Sequence, residues 1–162
     1  MPILQNPRHE AFAQELAGKQ QLEWADFLAG YIQLFNEQRY YEAHDVLEHL
    51  WLQPTEPDSS DKSSENDLLK GLIQFAGAFV HLQKQFQRPD HPTDGRRLRP
   101  AWRLFKLAHK NLQPFGVFYR GFQVESVLRL SEQEVARLEN DHFRSNPWHP
   151  ARAPRLPELL DV

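Results

Sequence analysis

The chain has no cysteine. That excludes disulfides, thiolate zinc sites and iron–sulfur clusters, and it removes cysteine from the candidate nucleophiles. A long apolar run is also missing. The longest, Gly71 to Leu82, is interrupted by Gln74 and holds His81 near its end. About 20 apolar residues are needed to cross a bilayer, so this stretch reads as a buried helix and no membrane association is expected. The first residues, Met1-Pro2-Ile3-Leu4-Gln5-Asn6-Pro7, contain no basic stretch followed by an apolar one. No secretory signal is expected, and the cytoplasm is the expected location. A phosphate-cradling Gly loop, a dinucleotide fingerprint and a Ser–His–Asp order are all lacking, so no reaction can be named from a familiar motif.

What remains is ordinary globular composition. The 162 residues are 40% hydrophobic and 25% charged, enough for one domain with a core of its own. The net charge of −3 conceals a split: residues 1–70 hold 13 acids and 5 Lys/Arg, whereas residues 71–162 hold 9 acids and 14 Lys/Arg. Such a division can orient a binding face or drive self-association, and it also arises from solvated helix faces. Strand signals are weak throughout, and the expected fold is an all-α, single-domain bundle of about five helices with long loops.

Trp24, Phe27, Leu28, Tyr31, Ile32, Leu34 and Phe35 recur at helical spacing and predict a helix over about 22–36. Asn36 stands where a left-handed C-terminal residue is common. A second helix is expected over about 40–52, stopped by Pro54 and Pro57. Residues 53–63 are rich in Pro, Ser, Asp and Thr and read as a mobile loop. Ser64-Glu65-Asn66-Asp67 resembles a capping box opening a helix over about 65–86, and Pro100 suits the first turn of another over about 100–112. Gln113 to Gln123 reads as irregular, and Ser131-Glu132-Gln133-Glu134 as a second capping box opening a last helix to about 141. The expected division is a bundle over 1–145 and a Pro-rich tail over 146–162, extended or disordered, with Pro147, Pro150, Pro154 and Pro157.

Winding the second helix at about 100° per residue gathers Tyr40, Ala43, Leu47, Leu50 and Trp51 into one apolar stripe. His44 falls inside that stripe and Glu48 at its edge, while Glu42, Asp45 and His49 point away. Residues four apart share a helix face, so His44 and Glu48 can reach one cation or each other. An ionisable pair on the buried side needs partners. Two ligands do not complete a metal site, and the third helix offers more on a polar stripe of Lys70, Gln74, His81 and Gln85. If that stripe faces the second helix, Gln74 and His81 converge on His44 and Glu48. If it faces water, it is a solvated face. The small residues Gly71, Gly77 and Ala78 favour close approach. A buried His–carboxylate hydrogen bond with no ligand remains the other reading of the pair.

Phe35-Asn36-Glu37-Gln38-Arg39-Tyr40-Tyr41-Glu42-Ala43-His44-Asp45-Val46-Leu47-Glu48-His49-Leu50-Trp51 resembles the FNxGxYxEAHxxLExxW signature of an uncharacterised bacterial and archaeal family, the domain of unknown function 309. Its HxxxExxW hallmark is met by His44, Glu48 and Trp51. Lys70-Gly71-Leu72-Ile73-Gln74-Phe75-Ala76-Gly77-Ala78-Phe79-Val80-His81 is similar to the family's second block, GLIQxAxAxxH. Gln38 stands where the family often has Gly, and after His81 this chain continues into a longer stretch. The resemblance implies an all-α bundle and a metal-binding role for the His and Glu, and it supplies no substrate. The expected metal ligands are therefore His44, Glu48 and His81, with Trp51, Gln74 and Glu42 around them, and a divalent metal ion is the candidate cofactor.

Residues 95–124 carry seven Lys/Arg and no acid, interleaved with Trp102, Phe105, Phe115, Phe118, Tyr119 and Phe122. Basic groups among aromatics can hold phosphates and bases. The overall acidity and the lack of a known motif make nucleic acid an unexpected partner, and a solvated basic helix face is the plainer reading. Two functions stand side by side: a metal- or small-ligand-binding domain built on the HxxxExxW motif, and a non-enzymatic protein-interaction module whose His/Glu pair is structural. An apolar helix face left open in so small a bundle would be covered by a homodimer.

Overall fold

In a computed structural model, residues 24–51 and 60–160 are described, with the side chains of 60–64 excepted. Five α-helices follow one another: α1 (Trp24–Asn36), α2 (Tyr40–Trp51), α3 (Ser60–Gln87), α4 (Leu98–Leu112) and α5 (Val124–Asn140). Short 3-10 turns lie at Gln113–Phe115 and Pro150–Arg152. Among the described residues the only strand-like pairing is a single bridge, Tyr119 to Phe122. The fold is all-α, and no described helix is long and apolar enough to cross a membrane.

The long α3, about 42 Å at 1.5 Å per residue, is the axis. α2 and α4 both pack on it, α5 packs on α4, and α1 packs on α2. Apolar residues at helical spacing on each element explain this. Phe35, Tyr40, Phe75, Phe79 and Phe105 are all fully buried and come from α1, α2, α3 and α4. Phe35 stacks on Phe75 at 5.3 Å and meets Phe79 edge-on at 5.1 Å and Tyr40 edge-on at 5.0 Å. Phe79 meets Phe105 edge-on at 5.1 Å. Each such pair contributes about 0.5–1.5 kcal/mol beyond area burial. Tyr31 is fully buried and donates its hydroxyl to the Leu72 carbonyl at 2.7 Å. Burial drives its phenol pKa well above the ordinary value.

Close approach of α3 and α4 depends on Gly71. A Cβ there would lie 2.6 Å from Leu112 Cγ, whose side chain is itself fully buried. The glycines expected to admit α2 therefore serve α4 first.

Several boundaries differ from expectation. α3 begins at Ser60, so Ser64 is not its cap, and residues 60–63 of the expected loop are helical; 52–59 lie outside the described residues. α5 begins at Val124, which leaves Ser131 fully buried in the middle of the helix. The Ser-x-x-acid pattern fits helix interiors as well as helix starts, and burial of Val124 and Val127 extends the helix upstream. Asn36 is not the left-handed residue that ends α1. Gln38 is, with φ 62. Arg39 N–H donates to the Leu34 carbonyl and Gln38 N–H to the Phe35 carbonyl, the paired bonds of a Schellman terminus. A glycine is the cheapest residue for that backbone. Gln38 offsets its cost by donating its side-chain amide to the Pro150 carbonyl at 2.8 Å.

Asn36 has a different task. Its Nδ2 donates to the Leu156 carbonyl at 2.9 Å and its Oδ1 accepts from Leu156 N–H at 2.7 Å, so one amide pairs with the tail as a strand would. Residues 146–160 run extended apart from the one 3-10 turn. Trp148, 5% exposed, donates Nε1–H to the Tyr40 hydroxyl at 3.0 Å. Tyr40 is pushed up to about 12, first by burial.

Three substitutions test this packing. Trp148→Ala should cost about 3–5 kcal/mol and Asn36→Ala about 1–3 kcal/mol, read from urea unfolding midpoints; near-neutral values would mean that the tail is not part of the cooperative unit. Gly71→Ala should cost about 1–3 kcal/mol by overpacking against Leu112.

Candidate functional site

α2 opens at Tyr40, directly after the Schellman turn, and its register turns Ala43, Val46 and Leu47 inward. His44, Asp45 and Glu48 occupy the next face round, neither buried nor free, with side-chain exposures of 27%, 15% and 25%. His44 Nδ1 lies 3.3 Å from Asp45 Oδ1 and 3.4 Å from Glu48 Oε2. One donor atom from each of the three falls within 4.8 Å of the others. The ring is held in place: Tyr41 stacks nearly parallel to it, centroids 6.0 Å apart. On α3, Gly77 lies opposite its Cδ2 edge, where a Cβ would be in ordinary contact at 3.9 Å. Burial, followed by the charges of Asp45 and Glu48, raises the Tyr41 pKa and keeps the phenol neutral.

Both carboxylates lie against the same imidazole nitrogen. A single imidazole nitrogen faces two carboxylates and can donate one proton at most. Glu48 Oε2 is shielded from solvent and has no hydrogen-bond partner among the described residues. A buried acceptor without a donor costs about 1–3 kcal/mol.

The sequence-predicted residues divide. His44 and Glu48 come together as expected. The third donor beside them is Asp45, which the helical wheel had turned away, and not His81. Adjacent residues do not normally share a helix face. The short Asp side chain at the edge of that face nevertheless reaches the imidazole, and the acid immediately after His44 was the available signal. Glu42 pairs with Arg39 one turn back. Trp51 is 39% exposed at the end of α2.

Of the polar stripe of α3, Lys70 is exposed to water and the rest is half-buried. It is answered by α4 and the segment before it. Asn111 donates to Gln74 Oε1 at 2.7 Å, and Arg97 N–H donates to Gln85 Oε1 at 2.6 Å. Arg97 Nη1 lies 3.0 Å from His81 Nδ1. A guanidinium can only donate, so Nδ1 is the acceptor and Nε2 carries the proton. Burial, then the charges of Arg97 and Lys84, push His81 down to about 4. A nitrogen already held by a cation, in a positive field, is a poor partner for another cation. That is the physical reason His81 does not join His44.

The unfolded chain protonates His81 near the ordinary 6.5, whereas the folded chain resists until about 4. The unfolded state therefore binds more protons between those values, and stability falls as pH drops through that window. His81→Gln should flatten this decline in urea midpoints measured between pH 6.5 and pH 4; an unchanged slope would assign it to other groups.

The chain has no match among curated proteins and none among solved structures. Residues 28–89 match the model of the family described as Domain of unknown function (DUF309). That span takes in most of α1 and all of α2 and α3.

Proposed function

We propose that this domain binds a divalent metal ion through His44, Asp45 and Glu48. The observation that carries the reading is the meeting of three donor atoms within 4.8 Å on one turn of α2, one of them Glu48 Oε2, which is shielded from solvent and makes no hydrogen bond among the described residues. The donor set, one imidazole nitrogen and two carboxylate oxygens, suits zinc, manganese, iron(II) or nickel, and it disfavours soft Cu(I), which prefers thiolate and thioether. Three protein ligands leave at least one position open, as in zinc sites that handle a substrate. A bound ion would supply Lewis acidity there.

The other residues act on the ligands. Tyr41, stacked on the imidazole and neutral, limits ring rotation without adding a competing charge. Gln74 and His81, satisfied by α4 and its preceding segment, stay outside the coordination set.

Elemental analysis after equilibration with zinc or manganese and desalting tests the reading. The native chain should retain close to one ion. Glu48→Gln, Asp45→Asn and His44→Ala should each weaken retention by about 10–100-fold or more, since even residues that merely support metal ligands cost that much when removed. His81→Gln should retain the ion. A native chain that takes up none of zinc, manganese, iron(II) or nickel would make the cluster a structural His–carboxylate contact in an interaction module.

A further inference from the structure

The basic stretch after α3 is not used by the proposed metal site, and its arginines are not alike. Arg97 is engaged: its Nε donates to Asp94 Oδ1 at 3.0 Å, and its Nη1 to His81. Arg88 Nη1 takes the other oxygen of Asp94 at 3.0 Å. The Asp94 carboxyl is held below its usual range by Arg97 first of all. Both of its oxygens are therefore committed, and Asp94 has nothing left for the neighbouring cations.

Arg96 and Arg99 lie on either side of this knot, exposed, and neither side chain has an ion pair or hydrogen bond among the described residues. Both line a cavity of about 340 Å³ shared with Gln85, Gly95, Leu98 and Phe143. No carboxylate lines it. The Arg99 guanidinium is kept over the Phe143 ring, 4.3 Å from its centroid. His142 and Phe143 are both left-handed, φ 56 and 58, a costly conformation for two consecutive non-glycine residues, and it seats the aromatic ring in the cavity wall. The first turn of α4 carries no acid to balance the arginines.

Two guanidinium groups facing one concavity repel each other until an anion enters. Their forked donors match the geometry of phosphate oxygens. Of the remaining wall, Leu98 and the Phe143 ring are apolar and the ring is flat, so the same cavity accepts a planar organic group beside the anion. Its volume suits a small ligand, and a polymer would instead use Arg103, Lys106 and Lys110, which are exposed on α4 but outside the cavity. From these features we infer that the Arg96–Arg99 cavity is a binding site for a small phosphate monoester with a planar aromatic or heterocyclic group. It is independent of the metal-binding reading and does not share a residue with it.

Titration calorimetry of the full chain with phenyl phosphate, inorganic phosphate and phenol tests the site. Phenyl phosphate should bind saturably at one site, more tightly than inorganic phosphate, and phenol should not bind. The double variant Arg96→Gln/Arg99→Gln should weaken phenyl phosphate by about tenfold or more, the loss of one charged hydrogen bond. Arg103→Gln/Lys110→Gln should change it by less than about twofold, within ordinary surface effects. If the double variant does not fold, Arg96→Gln alone carries the test, because its side chain makes no ion pair or hydrogen bond among the described residues. Three outcomes would overturn the site: no saturable binding by the native chain, equal losses in both variant pairs (diffuse attraction to a basic helix), or full binding in Arg96→Gln/Arg99→Gln.

Discussion

Five aromatic rings set the geometry on which everything else rests. Phe35, Tyr40, Phe75, Phe79 and Phe105 meet at 5.0–5.3 Å along the chain of contacts that joins α1, α2, α3 and α4. Rings at these distances allow little sliding, because their preferred offset and edge-on arrangements are steeply dependent on position. The rotation of α2 about its axis follows from Tyr40 lying in that cluster, and the rotation of α2 decides that His44, Asp45 and Glu48 share a half-buried face. The tail depends on the same point: Trp148 reaches the core by donating to the hydroxyl of Tyr40.

The central helix separates two electrostatic environments. On the α2 side, an imidazole stands before two carboxylates, with more negative charge than it can answer. On the α4 side, the His81 imidazole stands before a guanidinium with a lysine near, and is driven neutral. The charge asymmetry along the chain has become an asymmetry across the bundle. Acids of the first half gather on α2, and arginines of the second half gather where α3 hands over to α4. The two sites proposed for this domain, one for a cation and one for an anion, follow that asymmetry.

How far the residues alone predicted this can be judged position by position. Periodicity located α1, α2 and α4 to within two residues at every end the structure describes, because their apolar stripes begin and end with the helices. It missed the starts of α3 and α5, where a Ser followed by acids imitates a cap. Whether such a pattern is a helix start or a helix interior depends on what the upstream turn packs against. The His44–Glu48 pair was legible because four-residue spacing on a helix fixes a shared face regardless of context. Asp45 was not, since its reach to the imidazole depends on side-chain torsions that spacing does not encode.

By itself the sequence determined an all-helical chain, the helical register that puts His44 beside Glu48, and a basic segment free of acids. These are local properties, set by the 3.6-residue period and by composition. Tertiary structure decided which helix answers the polar stripe of α3. Gln74, His81 and Gln85 could have met α2, water or α4. They meet α4 and its preceding segment because Gly71 lets Leu112 come close and because Asn111 and Arg97 are there to satisfy them. It also decided that Asn36 and Gln38, which read as turn residues, hold a tail more than a hundred residues away. Such pairings join residues far apart in the chain, and only packing brings them together.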